Sequence, residues 1–173
     1  MDRFIPDMYQ QSIYTINYQK LKKQGIKCIL FDLDNTLAPI HSKTVDNRVK
    51  ELFARLEDMG FKVIIFSNSN KKRLKPFKET LNVDTSYSSC KPLKKKYIKV
   101  MKLYNFKDTE IACIGDQLLT DVLGANRMGF TSIFINRLCE EDFIFTKFNR
   151  FFEGLIIKRF TKRNILTRGK YYD

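Results

Sequence analysis

The sequence contains no apolar stretch of the ~18 to 20 residues that a membrane-spanning helix needs, and only one histidine, His41, which reads as an ordinary loop residue. Its four cysteines (Cys28, Cys90, Cys113 and Cys139) form no CxxC pair and have no neighbouring histidine, so neither a zinc site nor a redox dithiol is indicated. Cys28 and Cys113 sit inside apolar runs and are expected as small buried hydrophobes. The first residues, Met1-Asp2-Arg3 with Pro6 and Asp7, lack the apolar core of a signal peptide. The expectation is a reduced protein that is cytoplasmic or peripheral on the inner face of a membrane. Internal repeats and low-complexity linkers are also missing. With 173 residues, 43% of them hydrophobic, the chain can fill one core, so we expect a single domain over 1–173 with 143–173 as a basic amphipathic C-terminal helical extension.

Acidic residues are scarce: 19 Asp and Glu face 32 Lys and Arg, a net charge of +13. Such a balance attracts anions, whether nucleic acid, lipid headgroups or a phosphorylated substrate. Lys71 to Lys107 holds twelve basic residues against Glu79 and Asp84, and Phe143 to Asp173 holds eight against Glu153 and Asp173. The run Lys94-Lys95-Lys96 reads as a solvated helix face that also draws anions toward Lys91.

Apolar runs of buried-strand length cover Lys27–Leu33, Lys62–Ser67, Glu110–Gly115 and Thr131–Ile135, and Val83-Asp84 begins a shorter one. Helical spacing covers Asn47–Met59, Lys71–Leu81, Leu93–Tyr104 and Leu119–Arg127, as at Val49, Leu52, Phe53 and Leu56. This alternation predicts an α/β Rossmann-like parallel sheet with helices on both faces. Ligands of such sheets bind beyond the carboxyl ends of the strands. The residues at those ends are Asp32 and Asp34, Ser67 and Asn68, then Asp116 and Asp121, with Lys91 entering from the basic segment.

Clustered carboxylates repel unless a cation lies between them or one takes a proton. A hard Mg²⁺ ion suits Asp32, Asp34 and Asp116, because it prefers oxygen ligands and keeps several waters. A carboxylate such as Asp32 can attack phosphorus and split one difficult hydrolysis into two easier steps. Lys91 would offset charge on the transferring group, Ser67 would donate a hydrogen bond to it, and Asp34 would act as acid and then base. Asp121 would hold metal-bound water or orient the site, while Asn35 and Thr36 order the loop.

The succession Phe31-Asp32-Leu33-Asp34-Asn35-Thr36-Leu37, Ser67-Asn68, Lys91-Pro92 and Gly115-Asp116-Gln117-Leu118-Leu119-Thr120-Asp121 resembles the four ordered motifs of the haloacid dehalogenase (HAD) superfamily of phosphatases. Within it, the first motif and the run Gly115 to Gly129 resemble the subfamily IIIA group of YqeG and mitochondrial phosphatidylglycerophosphatase proteins, with Phe4-Ile5-Pro6 and Thr146-Lys147-Phe148-Asn149-Arg150 extending the likeness. The resemblance implies Asp32 as nucleophile and Asp34 as acid/base. It implies Ser67, Asn68, Lys91 and Thr36 on the substrate, and Mg²⁺ held by Asp32, the Asp34 carbonyl, Asp116 and Asp121, the last directly or through water.

Only 32 residues separate Asp34 from Ser67, and 23 separate Ser67 from Lys91, leaving no room for a large cap domain. An uncapped site accepts a phosphate borne on something large. With the resemblance, this points to phosphatidylglycerophosphate at an anionic membrane surface, a step in phospholipid biosynthesis. Proteins, nucleic acids and small phosphorylated metabolites are alternative substrates, and a nucleic-acid- or ribosome-binding role is a rival from another class. Phe148, Phe151, Phe152, Leu155, Ile156 and Phe160 recur at helical spacing beside Arg150, Lys158, Arg159, Lys162 and Arg163. That pattern suits an interfacial helix or a terminal helix packed on the domain. Phe4, Tyr9, Tyr14 and Tyr18 are expected to form a stripe that covers the core, with a membrane-facing stripe as the alternative.

Overall fold

The computed structural model describes residues 2–141 and 143–173, without the side chains of residues 144 and 145. Among the described residues six strands form one parallel sheet: β1 (Met8–Gln10), β2 (Cys28–Phe31), β3 (Lys62–Phe66), β4 (Asp84–Ser86), β5 (Ile111–Gly115) and β6 (Thr131–Ile135), ordered β1-β6-β5-β2-β3-β4. The helices are α1 (Tyr18–Lys23), α2 (Asn47–Asp58), α3 (Lys71–Leu81), α4 (Lys94–Tyr104), α5 (Leu123–Met128) and α6 (Ile144–Lys162). The predicted α/β Rossmann-like architecture is the observed one.

The central strands are apolar throughout because both of their faces are covered. Successive side chains point to opposite faces. Ile29 and Phe31 therefore join the cluster holding Val49, Leu52, Phe53 and Leu56 of α2 and Leu74 and Phe77 of α3. Cys28 and Leu30 join Tyr97 and Val100 of α4 and Ala125 of α5. Each large side chain so buried contributes about 1.5–3 kcal/mol relative to exposure. Asp46 caps α2 by accepting from Arg48 N at 2.8 Å, and Asn70 caps α3 by accepting from Arg73 N at 2.9 Å.

Three expectations need correction. The N-terminal aromatics form no single stripe: Phe4 ends a short 3₁₀ turn, Tyr9 lies in β1, Tyr14 lies in a turn and Tyr18 begins α1. Tyr9 and Tyr18 are buried, whereas Phe4 and Tyr14 are half-buried. The helix expected over Leu119–Arg127 is two pieces, a π-type turn at Leu118–Val122 followed by α5. The wide turn carries Asp121 N and Val122 N onto one acceptor, Gln117 O, at 3.0 and 3.2 Å. The apolar series on α6 is also divided: Ile157 and Phe160 pack with Tyr9, Leu118, Val122, Phe134 and Leu166, while Phe148, Phe151, Phe152 and Leu155 are exposed. Beyond α6, Tyr172 exchanges backbone hydrogen bonds with Tyr9, each 2.9 Å.

The connections from β2 to β3 and from β3 to β5 consist of α2, α3, β4, α4 and the loops between them, the loop over residues 32–46 running into α2. Among the described residues no separate cap covers the carboxyl ends of the strands. The first turns of α6 flank them instead.

Candidate active site

The chain leaves β2 at Asp32, whose N–H still donates to Ile114 O of β5 at 2.9 Å, and then turns sharply. Asn35 makes the turn in the left-handed region, φ 64°, which asparagine tolerates better than most residues. Its side chain donates to Glu141 O at 2.7 Å and its backbone carbonyl accepts from Leu138 N at 3.0 Å, tying the loop to the segment after β6. Thr36 donates to Asp116 Oδ1 at 3.4 Å.

Asp32, Ser67, Lys91, Asp116 and Asp121 are all buried, and the fold gathers them at one end of the sheet. Lys91 Nζ lies 2.6 Å from Asp32 Oδ1 and 2.6 Å from Asp121 Oδ1, with its side chain only 4% exposed. Asp121 also accepts from Gln117 N at 3.1 Å. Gly115 makes this approach possible, because a Cβ there would overlap the Asp121 carboxyl group. Asn68 is spent on the main chain of Lys91, accepting from its N–H at 2.7 Å and donating to its carbonyl at 3.3 Å. Ser67 is held through its own backbone, donating to Ser86 O at 3.0 Å and accepting from Ser89 N at 2.9 Å.

Four further side chains, missed in the sequence, complete the arrangement. Arg73 of α3 grips Asp34 through Nε at 3.0 Å and Nη2 at 2.8 Å, and Ser69 donates to the other carboxylate oxygen of Asp34 at 2.6 Å. Arg150 of α6 pairs with the Asp116 carboxylate and donates to its backbone carbonyl at 2.6 Å. Glu153 accepts from Arg150 at 3.0 Å and from Leu119 N at 3.2 Å. One signal for this last pair was available: Glu153 is the only acid between Phe143 and Tyr172, three residues after Arg150. His41 lies outside the cluster, exposed, 3.4 Å from Glu141.

Burial pushes the Asp32 carboxyl well up from the usual carboxylate range; Lys91 opposes that shift, and Asp121 and Asp116 reinforce it. Burial likewise pushes Asp116 up to about 7, against the pull of Arg150. Burial works to lower the pKa of Lys91, but Asp121 and Asp32 together outweigh it and keep the ammonium charged. When all are ionised, the buried carboxylates Asp32, Asp116, Asp121 and Glu153 are paired, among the described residues, with Lys91 and Arg150, while Asp34 is matched by Arg73. The deficit equals the charge of one divalent cation. Oxygens of Asp32, Asp116 and Asp121 lie within 4.8 Å of one another, a donor set that fits a hard ion such as Mg²⁺.

The cluster opens into a cleft of about 230 Å³ lined by Asp32, Asp34, Ser67, Asn68, Ser69, Lys91, Gln117 and Thr120, with Phe143, Thr146 and Asn149 at its α6 side. That volume is small beside the ~300–1,000 Å³ of sites that enclose a whole small molecule. It suits one headgroup with the remainder of the substrate outside. A carboxylate beside a fixed ammonium is an arrangement competent for phosphoryl transfer.

The family described as mitochondrial PGP phosphatase matches residues 1–139. Over 160 residues the chain is 36% identical to "Probable phosphatase YqeG" of Bacillus subtilis (strain 168), covering 92% of this chain and 93% of that protein. It is 24% identical over 172 residues to the chloroplastic/mitochondrial phosphatidylglycerophosphate phosphatase 1 of Arabidopsis thaliana, covering 93% of this chain but only 49% of the plant protein. A solved HAD superfamily (subfamily III A) hydrolase structure from Legionella pneumophila superposes with a TM-score of 0.53 at 22% identity, covering 69% of this chain and 71% of that one.

Proposed function

We propose that this chain, which belongs to the mitochondrial PGP phosphatase family and is a phosphatase of the HAD type, removes the terminal phosphate of phosphatidylglycerophosphate and leaves phosphatidylglycerol. The observation that carries the reading is the Lys91-bridged pair Asp32 and Asp121, set beside Asp116 at the base of a small uncapped cleft. Such a cleft admits a phosphate while its bulky carrier stays outside.

In the proposed reaction the Asp32 oxygen not held by Lys91 attacks phosphorus, and the bond from phosphorus to the glycerol oxygen breaks. The electron pair leaves with that oxygen, which takes a proton from Asp34. Water then attacks the aspartyl phosphate, Asp34 removes its proton, and the phosphorus–Asp32 bond breaks to release inorganic phosphate. Lys91 and the Ser67 hydroxyl bind the phosphoryl oxygens; Asn68 and the Ser86 and Ser89 backbones hold the main chain of the two residues, and the Ser67 hydroxyl accepts from Ser69 N at 3.1 Å. Asp34 is held as a carboxylate by Arg73 and Ser69, so it has to leave Arg73 and take up a proton from solvent before it can give one to the departing oxygen. Asp32, Asp116, the Asp34 carbonyl and Asp121, directly or through water, would hold Mg²⁺, which when bound supplies the charge the cluster lacks.

The test is phosphate release from phosphatidylglycerophosphate in mixed micelles, with Mg²⁺, with EDTA and with Asp32→Asn, beside soluble phosphate esters, phosphopeptides and 3′-phosphorylated DNA. Mg²⁺-dependent turnover of the lipid that exceeds the others and disappears in both controls supports the proposal. Faster turnover of a peptide or DNA substrate would move the assignment there, and no Asp32-dependent turnover at all would defeat it.

A further inference from the structure

Helix α6 is buried along one side only. Glu153, Ile157 and Phe160, spaced by four and three residues, face the body of the protein. On the opposite side Phe148 is 67% exposed, Phe151 64%, Leu155 54% and Phe152 41%. The Phe152 ring centroid lies 5.0 Å from that of Phe148 and 5.5 Å from that of Phe151, so these rings form one patch. Singly scattered exposed apolar residues are ordinary on a protein surface, whereas a contiguous patch marks an interaction site.

Two features bear on what covers the patch. The following turns carry Lys158, Arg159, Lys162 and Arg163, all exposed, and from Phe143 to Arg163 the only acid is Glu153, which is buried. At its other end α6 reaches the cleft, which Phe143, Thr146 and Asn149 line together with Lys91 and Asp32. Apolar, basic and catalytic surfaces thus follow one another along a single helix. A second copy seated on the patch would bring up another chain of net charge +13, so like charge opposes that pairing. An anionic bilayer supplies the opposite charge and an apolar layer at the same boundary.

We propose that α6 is an interfacial docking helix. Phe148, Phe151, Phe152 and Leu155 enter the headgroup–acyl boundary of an anionic membrane, Lys158, Arg159 and Lys162 lie on the lipid phosphates, and the cleft mouth is held at the membrane plane. This deepens the function proposed above and rests on its reading that the phosphate is carried by a lipid.

The test is flotation of the full chain with vesicles of phosphatidylcholine alone or mixed with phosphatidylglycerol, neither containing substrate. The chain is expected to float with the mixed vesicles, and the triple variant Phe148→Gln/Phe151→Gln/Leu155→Gln to lose about tenfold or more in partitioning. The same variant keeps wild-type turnover of p-nitrophenyl phosphate, a soluble ester, which verifies folding. The docking proposal falls if the wild-type chain stays unbound, if the triple variant floats equally well, or if sedimentation shows a dimer that the variant dissolves. Vesicle binding without turnover of phosphatidylglycerophosphate would overturn the substrate reading and leave docking standing. Turnover in micelles without vesicle binding would do the reverse.

Discussion

Replacing Lys91 by methionine keeps the length and packing of the side chain and removes the single ammonium that separates Asp32 from Asp121, each 2.6 Å from it. Breaking a buried ion pair by deleting one partner costs about 3–5 kcal/mol, because the remaining charge is left uncompensated. Asp32, whose pKa burial already raises, relieves part of this by taking a proton, so the lower end of the range is expected. In a domain of this size about 1 kcal/mol moves Tm by ~3 °C, so Lys91→Met should melt ~9 °C or more below wild type in EDTA. A divalent cation restores what the lysine supplied. Binding at a hundred times Kd adds about 2.7 kcal/mol, and the variant, freed of a competing cation, should bind Mg²⁺ more tightly than wild type. Scanning calorimetry in EDTA and in Mg²⁺ would therefore show a larger Mg²⁺-induced rise in Tm for Lys91→Met than for wild type, although the variant has lost its phosphatase activity. A Tm within ~2 °C of wild type in EDTA, or a smaller Mg²⁺ response, would refute the idea that Lys91 and the metal neutralise one cluster.

Three more predictions follow from the same geometry and its surroundings. Because burial raises the folded pKa of Asp116 from 3.8 to about 7, the folded protein keeps a proton that the unfolded chain has released, so metal-free stability should fall as pH rises through that window. Denaturant titrations in EDTA at acid and neutral pH would show this fall, with Asp116→Asn reducing it; stability that instead rises with pH would count against the assignment. A methyl group at Gly115 would displace Asp121 from Lys91 and Gln117, so Gly115→Ala should lose about 1–3 kcal/mol and most of its activity, whereas wild-type turnover in saturating Mg²⁺ would contradict the packing. The Tyr97 hydroxyl is buried without a hydrogen-bond partner among the described residues, so Tyr97→Phe should raise stability by about 1 kcal/mol; a comparable loss on thermal melting would mean that the hydroxyl is satisfied.

The strand ends were legible in the sequence because buried parallel strands are short unbroken apolar runs, and the polar residues that follow them stand out. Asp32, Ser67, Asp116 and Asp121 could be nominated on that ground and Lys91 through the order of the motifs it belongs to, and the fold brings all five together. Their counter-charges were harder to see. Arg73 and Arg150 lie 39 and 34 residues from the carboxylates they bind, in segments where every basic residue looks like solvated surface. Strand β1 and helix α1 were missed because three and six residues are too few to display a period. On α6 the spacing announced an apolar series but could not reveal that its two halves face in different directions. That division depends on Tyr9, Leu118 and Phe134, which the fold delivers from three other elements.

The grip of Asn68 on both backbone groups of Lys91 has a consequence for anyone transplanting this chemistry to another α/β scaffold. Copying the reactive side chains would import their identities without their alignment, since the lysine takes its bearing from an amide 23 residues away. The portable unit is the two loops stitched together, and a graft should carry Asn68 with Lys91 or expect a lysine that wanders.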